Sequence, residues 1–209
     1  MCRRIEGGRC PPLLFLREVI LSARRMRFVM TRRFVFLVSG GRPNGNTERL
    51  AYRAADALPD AVRQDWIDLT TPALPPFRDL RGEEVPPPDG RLGEIARSLR
   101  PATDIVFVAP VYWYALPAPA KLLLDHWSNW LEVPGFDFAD WIRGKNLWLI
   151  TVRADADPGV VAPLEAAMER TAGFLGMTWR GVLNGLGDQP GDVLEDADTL
   201  ARAPRFFTA

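Results

Sequence analysis

From Arg33 onward, short apolar runs alternate with segments of helical period, and this alternation constrains the fold more than any other feature of the chain. Strands and helices in strict alternation build βαβ units, whose strands lie parallel and are covered on both faces. The apolar runs fall at residues 34–38, 62–69, 104–109, 146–152 and 178–184. Between them come a helix with Leu50, Ala51, Ala54 and Leu58 on one face and a second with Leu92, Ile95, Ala96 and Leu99. A third carries Leu122, Leu123, Leu124 and Trp127. A fourth, over residues 163–175, stops at Gly176, a residue suited to a left-handed cap. The last is expected over 192–203, whereas residues 72–88 are too rich in proline for regular structure. The pattern predicts an α/β fold of three layers, α/β/α, around a five-stranded parallel sheet of order 2-1-3-4-5.

A chain of 209 residues with 47% hydrophobic and 25% charged residues suits a globular protein able to bury a core without disulfides. Lys+Arg and Asp+Glu both total 26, so no broad electrostatic footprint for nucleic acid or an anionic membrane is present. Small molecules, or another copy of the chain, are the partners expected. Residues 1–30 read as an extension or an upstream start, followed by the domain proper at 31–209. Cys2 and Cys10 fall in that extension and make neither a disulfide framework nor a metal site. The expected compartment is therefore a reducing cytoplasm. The apolar stretch 13–21 is interrupted by Arg17 and Glu18, which spoils it both as a bilayer span and as a signal core.

In an open parallel sheet, ligands bind beyond the carboxyl ends of the strands, near the point where the winding reverses. The loops after the first, third and fourth strands are also the unusual ones in this sequence. The first, Ser39-Gly-Gly-Arg-Pro-Asn-Gly-Asn-Thr47, offers glycines that admit a close backbone approach, hydroxyl and amide side chains, Arg42, and the start of a helix at Thr47. Free N–H groups and the positive end of the helix dipole suit an anion such as a phosphate. The same residues also make a capped turn with Thr47 as N-cap. Neither a nucleotide P-loop nor the G-x-G-x-x-G dinucleotide pattern is present, and the glycines of 185–191 have the wrong spacing and read as a turn. After the third strand, Val111, Tyr112, Trp113 and Tyr114 stand at the strand end, stiffened by Pro110, Pro117 and Pro119. They suit a flat ligand such as an isoalloxazine, or packing against the protein or a second copy.

Together, Ser39-x-x-Arg42-x-Asn44-x-Asn46-Thr47 and Pro110-x-Tyr112-Trp113-x-x-x-Pro117-Ala118-x-x-Lys121-x-x-x-Asp125 resemble the NAD(P)H-dependent FMN reductase and quinone reductase group of flavodoxin-like proteins. The element order resembles that group over residues 33–203, while specific matching is confined to these two stretches. The resemblance implies FMN, with Ser39, Arg42, Asn44, Gly45, Asn46 and Thr47 around the phosphate and Pro110, Val111, Tyr112 and Trp113 along the ring. It implies NADPH or NADH as reductant, and a homodimer or homotetramer. Lys121 and Asp125 form a structural pair worth a few tenths of a kcal/mol if exposed.

After the fourth strand the group commonly carries threonine or serine with glycines; here the stretch is Thr151-Val-Arg153-Ala-Asp155-Ala-Asp157. Thr151 is expected to reach the ring; Arg153 either places a cation near its N1 and O2 edge, which would favour two-electron chemistry, or is an exposed loop arginine. His126, the single histidine, lies outside any metal-ligand spacing and reads as a helix residue; no metal site is expected. Trp127, Trp130, Phe136, Phe138 and Trp141 read first as core or dimer packing and second as a wall over the substrate side of the flavin. The implied reaction is hydride transfer from NAD(P)H to flavin N5, then onward to a quinone, azo, nitro or free-flavin acceptor. Tyr112 and Tyr114 are the candidate proton donors. The alternatives are an FMN-binding electron carrier or regulatory module without NAD(P)H activity, and a scaffold that has lost its flavin.

Overall fold

The computed structural model describes residues 32–208; the expected extension at 1–30, with Cys2 and Cys10, lies outside the described residues. Strands β1 (Arg33–Val38), β2 (Arg63–Asp68), β3 (Asp104–Val108), β4 (Asn146–Arg153) and β5 (Thr178–Leu186) form one sheet of order β2-β1-β3-β4-β5. All four pairings are parallel. The helices are α1 (Asn46–Ala55), α2 (Gly90–Leu99), α3 (Ala118–Trp130), α4 (Phe138–Ile142), α5 (Ala162–Phe174) and α6 (Ala197–Arg202).

β3 is the middle strand, and its Asp-Ile-Val-Phe-Val sequence is buried at every position. That is the pattern of a parallel strand covered on both faces. Period-two alternation divides the core. Val35, Leu37, Ile105, Phe107, Leu147 and Leu149 pack with residues of α2, α3 and α5. Phe34, Phe36, Val106, Val108, Trp148 and Ile150 pack with α1 and the C-terminal segment. Burial of a side chain such as Phe107 or Ile150 contributes about 1.5–3 kcal/mol. Leu50, Ala51, Ala54 and Ala55 form the buried face of α1. β2, at the sheet edge, reads Arg-Gln-Asp-Trp-Ile-Asp, and Ile67 is its one buried residue.

Two departures from the expected elements have local causes. The helix expected over 192–203 is broken at Asp196 into a 3₁₀ turn (Asp192–Glu195) and α6, with another 3₁₀ turn (Ala203–Thr208) after it. The Asp196 carboxylate accepts the N–H groups of Thr199 and Leu186, capping α6 and binding it to the end of β5. The aromatic segment contains the short helix α4, entered through Asp137 at φ 55°. Its rings pack on one another, Trp127 and Trp130 against Phe138 and Phe138 against Trp141, which is the core role rather than a wall over the site.

The proline-rich connection has no regular structure and is tied to α3 by side chains. His126 Nε2 donates to the Pro75 carbonyl at 2.8 Å, while Asn129 accepts the Leu80 N–H and donates to the Arg78 carbonyl. At the amino end of β3 the Asp104 carboxylate, fully buried, accepts from Arg32, Thr103, Asn146 and Trp148. Burial pushes its pKa up, but the hydrogen bonds from Arg32, Thr103 and Trp148 and the Arg32 charge hold it below the ordinary carboxylate value.

Candidate cofactor site

Where β1, β3 and β4 end, Val38, Val108 and Val152 form the apolar floor of a cleft of about 640 Å³, counting the part open to solvent. One wall is the loop from Gly40 into α1, with Gly40, Gly41, Arg42, Gly45, Asn46, Thr47 and Glu48. The facing wall is Pro110, Val111 and Tyr112, and Ala154, Gly187 and Asp188 close the end. Its mixed apolar and polar lining is that of a small-molecule site.

The polar wall is built around the start of α1. Gly45, rather than Thr47, is the N-cap, and no side chain caps this terminus. The first-turn amides of a helix have no intrahelical partner, so those of α1 are free to meet an anion at the positive end of its dipole. Arg42 adds a charge to the same wall. Asn46 lines the cleft with its side chain already engaged: Nδ2 donates to the Gln189 carbonyl at 2.9 Å and Oδ1 accepts the Gly191 N–H at 2.8 Å. Asn46 thus shapes the cradle by holding the β5–α6 loop against it. A Cβ at Gly187 would stand 2.9 Å from Asn46 Nδ2 and 2.8 Å from the Val193 nitrogen, so only glycine permits this approach.

The aromatic loop is a two-residue hairpin. The Tyr112 N–H donates to the Ala115 carbonyl at 3.2 Å, and the Ala115 N–H returns to Tyr112 at 3.1 Å. Trp113 (φ 52°) and Tyr114 (φ 63°) occupy its centre, both left-handed. Such turns favour Asn and Gly, and a bulky residue in this conformation costs about 1–2 kcal/mol. Strain of this kind clusters at functional sites. The turn lifts Trp113 to 93% exposure and Tyr114 to 57%. The Val111 N–H is spent on the Val152 carbonyl. The amides of Trp113 and Tyr114, in contrast, make no hydrogen bond among the described residues.

Of the residues expected around a phosphate and ring, the structure brings Arg42, Gly45, Asn46, Thr47, Pro110, Val111 and Tyr112 together in the cleft lining. It places the others elsewhere. Ser39 is buried, its hydroxyl donating to the Val108 carbonyl at 3.3 Å. Asn44 is exposed at φ 53°, and Trp113 stands out from the cleft. Thr151 and Arg153 have the wrong strand parity: Val152 takes the cleft face of β4, so its two neighbours point to the other side of the sheet. Thr151 is fully buried, with Oγ1 unpartnered among the described residues. Arg153 donates from Nη1 to Asn184 Oδ1 at 2.9 Å and to the Gly185 carbonyl at 3.2 Å, both on β5, and it is not among the residues lining the cleft. Among the lining residues not anticipated, Glu48 comes from the first turn of α1, Gly187 and Asp188 from the glycine loop taken for a simple turn, and Val38, Val108, Val152 and Ala154 from the ends of β1, β3 and β4.

Apolar floor, anion-binding helix start and aromatic turn match a ligand with a flat ring and a phosphate, so the donor set fits FMN. The profile of the NADPH-dependent FMN reductase family matches residues 33–177. The Bacillus subtilis protein YwqN, named as an NAD(P)H-dependent FMN-containing oxidoreductase, is 33% identical over 178 residues, covering 83% of this chain and 96% of its own. The structure of the Trp repressor binding protein from Bacillus subtilis superposes with a TM-score of 0.64 at 26% identity, over 82% of this chain and 96% of that one. An FMN-dependent NADH-azoreductase from Bacillus anthracis, solved in complex with FMN, gives 0.57 at 13% identity over 83% and 98%, a likeness of fold. No helix among the described residues is long and apolar enough to cross a membrane. The chain belongs to the NADPH-dependent FMN reductase family, a flavodoxin-like group whose cofactor is FMN and whose reductant is a reduced nicotinamide nucleotide.

Proposed function

We propose that this protein binds FMN in the cleft at the carboxyl ends of β1, β3 and β4 and uses it to pass hydride from NADPH or NADH to a small quinone, azo, nitro or free-flavin acceptor. The observation that carries the reading is the uncapped start of α1, with Arg42 beside it, opening onto an apolar floor and an aromatic turn. Bound FMN supplies the hydride-accepting and hydride-donating chemistry.

The chain's own residues orient and enclose it. Arg42, Thr47 and the first-turn amides of α1 hold the phosphate end by charge-assisted hydrogen bonds. Val38, Val108, Val152, Pro110 and Val111 exclude water from the ring's inner side, which strengthens polar interactions around it. The Trp113 and Tyr114 amides, unpaired among the described residues, would be available to the ring's polar edge, and the exposed Tyr112 and Tyr114 are the side chains that could donate a proton or position an acceptor. Large apolar side chains left uncovered on one copy, Trp113, Tyr114 and Phe174 at 79%, support assembly with a second copy of the chain.

The test is direct. Protein reconstituted with FMN is yellow, bleaches on anaerobic addition of NADPH or NADH, and recovers its colour when a quinone, an azo dye or free FMN is added. Arg42→Ala weakens FMN binding about tenfold and leaves riboflavin, which lacks the phosphate, unaffected. Protein that takes up no FMN overturns the reading. Light scattering on the eluting peak gives the oligomeric state, and a monomer at micromolar concentration removes the second copy from it.

A further inference from the structure

α2, α3 and α5 pack on the same face of the sheet, but their outer sides differ. α2 turns Glu94 and Arg97 to solvent, as a helix with a single apolar stripe does. α3 reads Ala-Pro-Ala-Lys-Leu-Leu-Leu-Asp-His-Trp-Ser-Asn-Trp; apart from the buried His126, its ionisable residues are Lys121 and Asp125, and Leu122 and Leu124 stay only half-buried. α5 turns Pro163, Ala166, Ala167, Gly173 and Phe174 outward. A helix apolar on every side belongs under cover. Among the described residues nothing covers the outer sides of these two, and Phe174 is left exposed.

The surface is shaped as well as apolar. The outer ridge of α3 runs between two grooves. One, toward the connection after β2, is lined by Leu69, Ala73, Leu74 and Leu122; the other, between α3 and α5, by Leu124, Leu131, Phe174 and Leu175. Lys121 borders both. Helices pack by laying the ridge of one in the groove of another. Here ridge and groove stand side by side, so the face carries both halves of the fit, as a two-fold dimer requires.

The charges are self-complementary too. Within α3, Lys121 Nζ donates to Asp125 Oδ1, four residues on. A two-fold axis crossing the helix between them runs the second α3 in the opposite direction, which sets Lys121 of each copy against Asp125 of the other. Exposed Glu169 and Arg170 on α5 add one charge of each sign. The face is therefore neutral and offers no electrostatic attraction to an acidic or a basic partner.

Resting on the assembly with a second copy proposed above, we infer that the outer face of α3 and α5 is the two-fold interface of a homodimer, across which Lys121 and Asp125 exchange partners. The bond within one helix becomes two bonds between helices. α3 begins just after Leu116 and Pro117, which join it to the aromatic hairpin, so the seam starts beside the wall of each cleft.

The experiment uses two charge reversals in the full chain, Lys121→Glu and Asp125→Lys, with light scattering on the eluting peak over a dilution series. Wild type is expected to elute as a dimer. Each variant alone sets like charges against each other twice, and its dissociation constant is expected to rise about tenfold or more. Mixed one to one, the two variants are expected to dimerise as wild type does, because the acidic face of one meets the basic face of the other. A pair that acts only within its own helix gives no such rescue. Both side chains face solvent, and helical circular dichroism reports that each variant is folded. Phe174→Asp, also at an exposed position, is expected to elute as a monomer. Variants that dimerise as tightly as wild type put the second copy on another face and overturn this inference, while the assembly itself stands. Variants that come apart and stay apart on mixing overturn the exchange of partners. A wild-type monomer at micromolar concentration removes both the second copy and this interface.

Discussion

Asn46 reaches across the sheet's carboxyl end to the backbone near Gly191, 145 residues further along the chain, and accepts its N–H at 2.8 Å while donating to Gln189. One amide side chain therefore fixes the distance between the first loop of the cleft and the last. Asn46→Ala leaves a backbone donor and acceptor without partners and is expected to cost about 1–3 kcal/mol. It also weakens FMN binding, because Gly187 and Asp188 lose their seat. Urea unfolding with an unchanged slope and a lower midpoint, alongside a flavin titration, checks both effects.

The buried Asp104 cluster predicts a dependence on pH. Its folded pKa lies below the unfolded value of about 3.9, so its contribution is fully present above that value and is lost as pH falls through the folded pKa. Asp104→Asn is expected to cost about 3 kcal/mol at pH 7, since Arg32 loses its charged partner. It should also flatten the decline in stability below pH 4. A variant whose urea midpoint falls with acid as steeply as wild type would show that other carboxylates govern that decline.

The hairpin at the cleft mouth carries strain that substitution can relieve. Replacing Trp113 by Asn and Tyr114 by Gly supplies the pair that left-handed turns favour, and little packing is lost because both side chains are largely exposed. The double variant is expected to gain about 1–2 kcal/mol in stability. It should turn over NADPH more slowly, having lost the aromatic tip. Thermal midpoint and nicotinamide oxidation measured on one preparation separate the two.

Arg153 gives a prediction opposite to the one its sequence position invites. Its Nη1 donates to Asn184 and Gly185 on β5, while Nε is buried without a partner among the described residues. Arg153→Ala should leave the two-electron potential of bound FMN unchanged while lowering stability by about 1 kcal/mol. Reductive titration against a reference dye measures the first quantity, and chemical unfolding the second.

The fold was legible because β1 and β3 are apolar runs of strand length bounded by turn residues, and such runs have few other solutions. The broken last helix was not, since Asp196 acts through the Leu186 amide, a partner that only the folded chain brings near. In the site, the loop after β1 and the run from Pro110 to Tyr112 stood out by composition. That Val152, and not Thr151 or Arg153, lines the cleft was not legible, because period-two alternation says that neighbours diverge without saying which faces the cleft. Glu48 carries no sequence signal of its own, because its bond to Asn44 depends on that residue's left-handed backbone.

β3 spans the distance between the two chemically demanding places in the protein, starting at Asp104 in its ionic knot and finishing at Val108 on the cleft floor. Robustness and selectivity are thereby assigned to opposite poles of one strand. The loops at the far pole can be exchanged to admit another electron acceptor without loosening the anchor, so descendants of this scaffold can diversify in what they reduce while melting at much the same temperature.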